Sequence, residues 1–303
     1  MNPRDEHLAT RRAAGLFDFS FMGLYEFSGT AALERLQTRR ILDLEPGQVV
    51  YTLLLNDDGS VFNDATVWYM DHDRWWLFTG RRSDFEWISP RANARDRSGE
   101  YAILALQGPV SGIILSRLVG EEIVRQLKYF RFVESDRLLI ARLGYSGELG
   151  YELLVPAGEA HRLRQALLEA GRDEGLCECG FPAADSLRIE SGYVLFDREI
   201  DGRANPRELG LEWLVSASRM RFPFSRRLVG LEIVDRPARE DLPVAHVTSE
   251  CFSPTLERRI ALGFAAPDAI PGCSVLVADG RTARVARLPF YDSGRRLPSG
   301  APL

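Results

Sequence analysis

A few short stretches of this chain carry side chains able to bind or transform a ligand. In the glycine-punctuated run Gly144-Tyr145-Ser146-Gly147-Glu148-Leu149-Gly150-Tyr151-Glu152, an aromatic ring precedes a carboxylate. One carboxylate can accept two side-by-side N–H donors, as it accepts an arginine fork. Flat rings such as Tyr51 and Tyr145 hold a flat ligand at little conformational cost. Asn63-Asp64 lies in a strand-like segment, where successive side chains point to opposite faces, so only one of the two can face a site. The choice matters, because an asparagine orients by hydrogen bonding but neither holds charge nor takes a proton. Arg188, within Ala184-Asp185-Ser186-Leu187-Arg188-Ile189-Glu190-Ser191-Gly192, offers a fixed cation. Each has an ordinary structural reading beside the functional one: a solvent-facing strand glutamate, core tyrosines with satisfied hydroxyls, a surface helix arginine.

Other chemistries are argued against. The spacing G-x-x-G-x-x-G, with no helical pattern directly behind it, is not the dinucleotide fingerprint; these glycines read as turn residues between Tyr145 and Glu152. His7, His72, His161 and His246 form no close pair, and among the four cysteines only Cys177 and Cys179 are neighbours, so neither a metal site nor a disulfide scaffold is expected. A net charge of −5 argues against a nucleic-acid partner. No apolar run reaches about eighteen residues, and Met1 to Arg12 is charged, so no membrane association and a cytoplasmic location are expected. With 303 residues, 45% hydrophobic and 27% charged, the chain can bury a large core in two or three packed subdomains.

The elements that must position these groups follow from the apolar patterning. After a polar start, Leu16 to Phe27 partly alternates and reads as one strand, followed by a Thr30-capped helix with the stripe Ala31, Leu33, Leu36 and Ile41. Val49 to Leu55, the turn Asn56-Asp57-Asp58-Gly59 and Val61 to Tyr69 read as a hairpin with Tyr51 on its outgoing strand and Asn63-Asp64 on the returning one. Trp75 to Thr79 adds a strand, Tyr101 to Leu106 another, and Gly108-Pro109 opens a helix. Strands at Arg137 to Ala141 and Tyr151 to Val155 and helices at Glu159 to Ala170 and Ala183 to Ser191 follow. The pattern predicts an α+β core over residues 1–222, and the short strands and turns of 223–303 predict a separate β domain.

Four segments in series resemble the glycine-cleavage T-protein (aminomethyltransferase) family: Gly15-Leu16-Phe17-Asp18-Phe19-Ser20, Leu106-Gln107-Gly108-Pro109, the Gly144 to Glu152 run, and Ala184 to Gly192. Asn205-Pro206 and Phe252-Ser253-Pro254-Thr255-Leu256 extend the resemblance over nearly the whole chain. It implies a T-protein-like folate-binding core of mixed sheets and helices completed by a C-terminal antiparallel β-barrel. It also implies that tetrahydrofolate, or its 5-methyl or 5,10-methylene derivative, is held by Tyr51, Tyr145, Glu152 and Arg188. Glu152 matches the family's pterin-binding glutamate, which faces a ring N–H and an exocyclic amino group.

The sequence departs from that pattern where T-proteins carry a pair of aspartates, the first beside the reactive folate nitrogens. Here the pair reads Asn63-Asp64, and an ungapped alignment through Asn56 and Gly59 puts Asn63 at the key position, whereas a shift of one residue would restore Asp64. On the ungapped reading Asn63 positions substrate together with Tyr145. A charge about 4 Å from a developing cation is worth on the order of 4 kcal/mol at an effective dielectric of about 20, nearly three decades in rate. Asn63 would forfeit that. The chain also begins near Asp5-Glu6-His7 and has Phe21 where the family often has histidine, which argues against a lipoyl carrier protein as partner. The expected function is therefore one-carbon transfer between tetrahydrofolate and a small donor or acceptor, demethylase-like in character. The alternative is a folate-binding accessory protein without turnover.

Overall fold

The computed structural model describes residues 1–216, 222–237 and 242–299. In chain order its strands are β1 (Ala14–Asp18), β2 (Gly23–Ser28), β3 (Val49–Leu55), β4 (Val61–Asp71), β5 (Arg74–Thr79), β6 (Arg95–Asp96), β7 (Tyr101–Gln107), β8 (Phe132–Ser135), β9 (Leu138–Ala141), β10 (Gly150–Pro156), β11 (Leu176–Cys179), β12 (Arg227–Pro237), β13 (Val244–Ser253), β14 (Arg258–Ala265), β15 (Ser274–Val277) and β16 (Arg281–Ala286). The helices are α1 (Pro3–Arg12), α2 (Ala31–Leu36), α3 (Phe85–Ile88), α4 (Ser111–Val119), α5 (Glu121–Gln126), α6 (Ala160–Ala170), α7 (Phe181–Glu190) and α8 (Arg296–Ser299).

Two sheets pack face to face. One has the order β11-β1-β7-β10-β9-β8, antiparallel except for the β11–β1 pair, and the other β3-β4-β5-β2-β6. Phe17, Phe19, Trp68, Trp76, Phe78, Phe132 and Leu154 fill the space between them. Ile114, Leu115, Leu163 and Leu167 of α4 and α6 cover the outer face of the first sheet, and Leu33, Leu36 and Ile88 of α2 and α3 cover that of the second. Both sheets are thus apolar on both faces, and burying each such side chain stabilises by about 1.5–3 kcal/mol. The mixed α+β core agrees with the sequence reading. The remaining strands close a barrel, β12-β14-β13-β15-β16, in which β13 and β15 are parallel and the other pairs antiparallel. Residues 300–303, assigned from sequence to the β domain, lie outside the described residues.

Three local expectations are corrected. Leu16 to Phe27 is not one strand: β1 ends at Asp18, β2 starts at Gly23, and between them Met22 N–H closes a turn on the Phe19 carbonyl. The Thr30 helix stops at Leu36, and Ile41, though buried, lies beyond it. The polar start is a helix, α1, capped by Asn2 on the Asp5 N–H and carrying acidic residues in its first turn and basic ones in its last, as the helix dipole favours. Its buried face is polar rather than apolar, which hid it. His7 reaches the hydroxyls of Ser186 and Thr255, and Arg11 pairs with Glu190 at 2.8 Å and Glu148 at 2.9 Å. Burial acts to raise the Glu190 carboxyl, but the hydrogen bond from His7 and the charge of Arg11 outweigh it and hold it at about 2. Through Ser253, which donates to the same carboxylate, the barrel is tied to α1 and α7.

Among the described residues no helix is long and apolar enough to cross a membrane, and no group of His, Cys, Asp or Glu could hold a metal ion.

Candidate functional site

Where the two sheets diverge they leave a cavity of about 170 Å³. That is the size class in which an apolar protein cavity takes up a single aromatic ring, and this one opens to solvent, so a larger ligand can extend outward. The second sheet contributes Tyr51, Asp64, Thr66, Phe78 and Thr79, and the first contributes Glu152 and the turn residue Tyr145. Phe19 and Phe21 from the β1–β2 connection, Phe181 at the start of α7, and Val194, Leu195 and Phe196 beyond α7 complete the wall. Among the described residues two carboxylates and no lysine, arginine or histidine line it.

Asp64 is in the wall and Asn63 is not, so the placement of Asn63 from the ungapped alignment is corrected. Along β4, Asp64, Thr66, Trp68 and Met70 face the opposing sheet, whereas Asn63, Ala65 and Val67 face α2, α3 and the turn before α3. Asn63 is fully buried on that outer side and donates to Asp84 Oδ2 at 2.6 Å, while its Oδ1 accepts the Asp64 N–H at 2.9 Å. Opposite, the Tyr51 hydroxyl donates to Asp64 Oδ2 at 2.9 Å. Burial lifts the Asp64 carboxyl to about 6, although the Tyr51 hydroxyl opposes the rise. Burial and then the Asp64 charge push the Tyr51 hydroxyl well above its usual range.

Glu152 is 6% exposed, and no described side chain donates to its carboxylate. Burial alone raises it to about 7. A buried carboxylate without a partner is costly unless a ligand supplies donors, and the side-by-side N–H groups of a reduced pterin are such donors. The residues present therefore fit tetrahydrofolate. Tyr145 lines the cavity with its ring while its hydroxyl donates to the Val194 carbonyl at 2.6 Å, so the ring face is what it offers. Tyr193 stacks against it, with ring centroids 5.8 Å apart.

Arg188 does not line the cavity, so the geometry gives no support to its reading as a folate contact. It is fully buried, and its guanidinium donates to Asp185 Oδ1 at 2.8 Å, the Tyr193 carbonyl at 3.1 Å, Glu199 Oε2 at 2.7 Å and Ser249 Oγ at 2.7 Å. It ties α7 to the cavity-lining segment and to the barrel strand β13. Phe21, noted in the sequence as standing where the family often has histidine, lines the cavity and stands edge-on to Phe181 with centroids 6.0 Å apart, both rings partly exposed. Phe181 and Phe196 went unrecognised. Phe181 lies three residues before the Ala184 to Gly192 motif, which was a usable signal; Phe196 follows it in a segment without a pattern.

Comparison with known proteins gives concordant results. Residues 2–219 match the GCVT N-terminal domain, and residues 226–292 match the glycine cleavage T-protein C-terminal barrel domain. An aminomethyltransferase of Halothermothrix orenii is 37% identical over 94% of this chain and 90% of its own length. One of Symbiobacterium thermophilum is 37% identical over 96% and 90%. The crystal structure of glycine cleavage system aminomethyltransferase T from Bartonella henselae superposes with a TM-score of 0.83 at 26% identity, covering 96% of this chain and 90% of that one.

Proposed function

The chain belongs to the glycine cleavage T-protein family, and from that premise we propose that its cavity binds tetrahydrofolate and that Asp64 serves the transfer of an aminomethyl-type one-carbon group to it. The observation that carries this reading is the presence of Asp64 and the unpartnered Glu152 in one cavity wall. Tetrahydrofolate, when bound, supplies the ring nitrogens that accept the carbon.

Glu152 accepts the donor pair on the pterin edge, and Tyr51 and Tyr145 flank the ring. Transfer from an aminomethyl thioether breaks the carbon's bonds to nitrogen and sulfur, releasing ammonia and a thiol, and Asp64 would stabilise the positive charge developing on that carbon and take the proton released at the accepting nitrogen, a role its placement near neutrality suits. The Tyr51 hydroxyl fixes the carboxylate's orientation. Phe21 and Phe181 screen the mouth from water, which strengthens the interaction inside. A wall holding carboxylates and no cation suits a donor whose one-carbon group carries an amine. Asn63 at the reacting position would have weakened the family's own reaction, and Asp64 in the cavity wall supports it.

The apolar mouth supports a second reading, demethylase-like, in which the donor is a small methylated amine. One experiment tests both: anaerobic incubation with tetrahydrofolate and either aminomethyl thioethers, free or on a lipoyl carrier, or methylated amines, with chromatography of the one-carbon folates. Methylene-tetrahydrofolate from the thioethers, abolished in Asp64→Asn, supports the first reading, and methyl transfer from amines alone supports the second. Tight tetrahydrofolate binding without any one-carbon folate product would overturn both.

A further inference from the structure

The turn that carries Tyr145 is wrapped around one side chain from a different strand. Gln107, the last residue of β7, is 1% exposed and does not line the cavity. Its amide lies between the backbones of Gly144 and Gly150, so closely that a Cβ on either would overlap it. Gln107 Oε1 accepts the Ser146 hydroxyl at 2.9 Å, and the Ser146 Oγ in turn accepts the Glu148 N–H at 3.2 Å. The neighbouring Gly108 N–H bonds the Leu149 carbonyl at 2.8 Å, and Gly150 pairs with Gln107 in the β7–β10 register. The two glycines are therefore required by the glutamine and not only by the turn. Two motifs far apart in sequence, Leu106-Gln107-Gly108-Pro109 and Gly144 to Glu152, are one structural unit.

We propose that Gln107 is a positioning residue which sets the separation of Tyr145 from Glu152. The first limb of the turn begins with Tyr145 and the second continues into β10, where Glu152 follows Gly150 by one intervening residue. The buried amide fixes the distance between these limbs, and with it the width available to a flat ring between Tyr145 and Glu152. Asp64 stands on the opposing sheet and is not held by Gln107. Gln107 therefore governs how well the ring is held more than how fast carbon moves once it is held. The inference rests on the proposed tetrahydrofolate site.

The test compares Gln107→Ala, Gly150→Ala and the double variant with the parent, by calorimetric titration with tetrahydrofolate, steady-state turnover and thermal unfolding. A displacement of about 1 Å in a binding group can cost on the order of a hundredfold. Each single variant should raise Kd and KM by about tenfold or more, with a smaller fall in kcat. The double variant should bind more tightly than Gly150→Ala alone, because the added methyl enters the space Gln107 vacates. If Gln107→Ala does not fold, Gln107→Met fills the volume without accepting from Ser146 and takes its place. Parent-like affinity in the folded single variants, or additive losses in the double, overturns the proposal. A parent protein that does not bind tetrahydrofolate overturns the folate reading, and the inference with it.

Discussion

Asn63 donates to Asp84 at 2.6 Å on the outer side of β4, while the next residue, Asp64, accepts the Tyr51 hydroxyl at 2.9 Å on the inner side. The strand thus separates a buried structural pair from a part-buried pair that lines the cavity. Arg81 completes the outer cluster with a 3.0 Å ion pair to Asp84. Asn63 gives Asp84 a neutral donor and steadies the backbone of Asp64 through its own Oδ1.

Asn63→Asp should therefore harm the protein rather than awaken activity. Two carboxylates would meet where a donor now faces an acceptor, and neither is exposed enough to be screened. The expected loss is about 2–4 kcal/mol of stability at pH 8, read by denaturant unfolding. The like charge raises the new carboxyl above its unfolded value, so the cost is present above the raised value and shrinks as pH falls through it. An unfolding midpoint unchanged at pH 8, or faster carbon transfer, would contradict this assignment.

Asp64→Asn should separate binding from chemistry. Removing a charge about 4 Å from the reacting carbon costs on the order of 4 kcal/mol at an effective dielectric of about 20, so kcat should fall by about two to three decades. Glu152 and the tyrosines remain, and the Kd for tetrahydrofolate should change by less than about fivefold. In the parent, kcat should fall as pH drops through about 6, where Asp64 takes its proton. Stopped-flow or steady-state rates across pH 5 to 8 supply the measurement.

The architecture was legible because its signals are local. Hairpin turns, glycine punctuation and apolar runs set β3 to β5, β9 and β10, and the series of motifs singled out Tyr51, Tyr145 and Glu152, which line the cavity. The choice between Asn63 and Asp64 was not legible, since both faces of β4 are buried and Phe62, Ala65, Val67 and Trp68 give no alternation. Helix α1 was hidden because His7 and Arg11 make its buried face polar, satisfied by partners more than a hundred residues away. The buried partners of Arg188 were hidden for a similar reason. Its partners Glu199 and Ser249 lie beyond the reach of any helical spacing rule.

Arg188→Met should act on stability. The substitution strips the cation from Glu199 and Asp185 and leaves the Tyr193 carbonyl and Ser249 without their donor. Breaking a buried pair from one side costs about 3–5 kcal/mol. Calorimetric unfolding should show that loss, while tetrahydrofolate affinity in the folded fraction weakens far less than in Glu152→Ala. Equal loss of affinity in the two variants, with unfolding unchanged, would restore Arg188 to the ligand.

Glu152→Gln should make the ligand-free protein more stable at pH 8 and not at pH 5. The folded carboxyl sits at about 7 against an ordinary value of 4.5, so the parent must ionise a buried, unpartnered group as pH rises. A folded value above the unfolded one means that the cost is absent below the unfolded value, grows between the two, and is complete above about 7. At about 1.4 kcal/mol per unit, the shift corresponds to roughly 3 kcal/mol as an upper figure. Glutamine carries no charge and escapes it, so scanning calorimetry should find the variant's Tm higher by a few degrees at pH 8 and level with the parent at pH 5. Tetrahydrofolate should reverse the order at pH 8, because its donors reward the carboxylate and meet only a single acceptor on the amide. A variant less stable than the ligand-free parent at pH 8 would mean that Glu152 already has a partner and that its carboxylate is not held in reserve for a ligand.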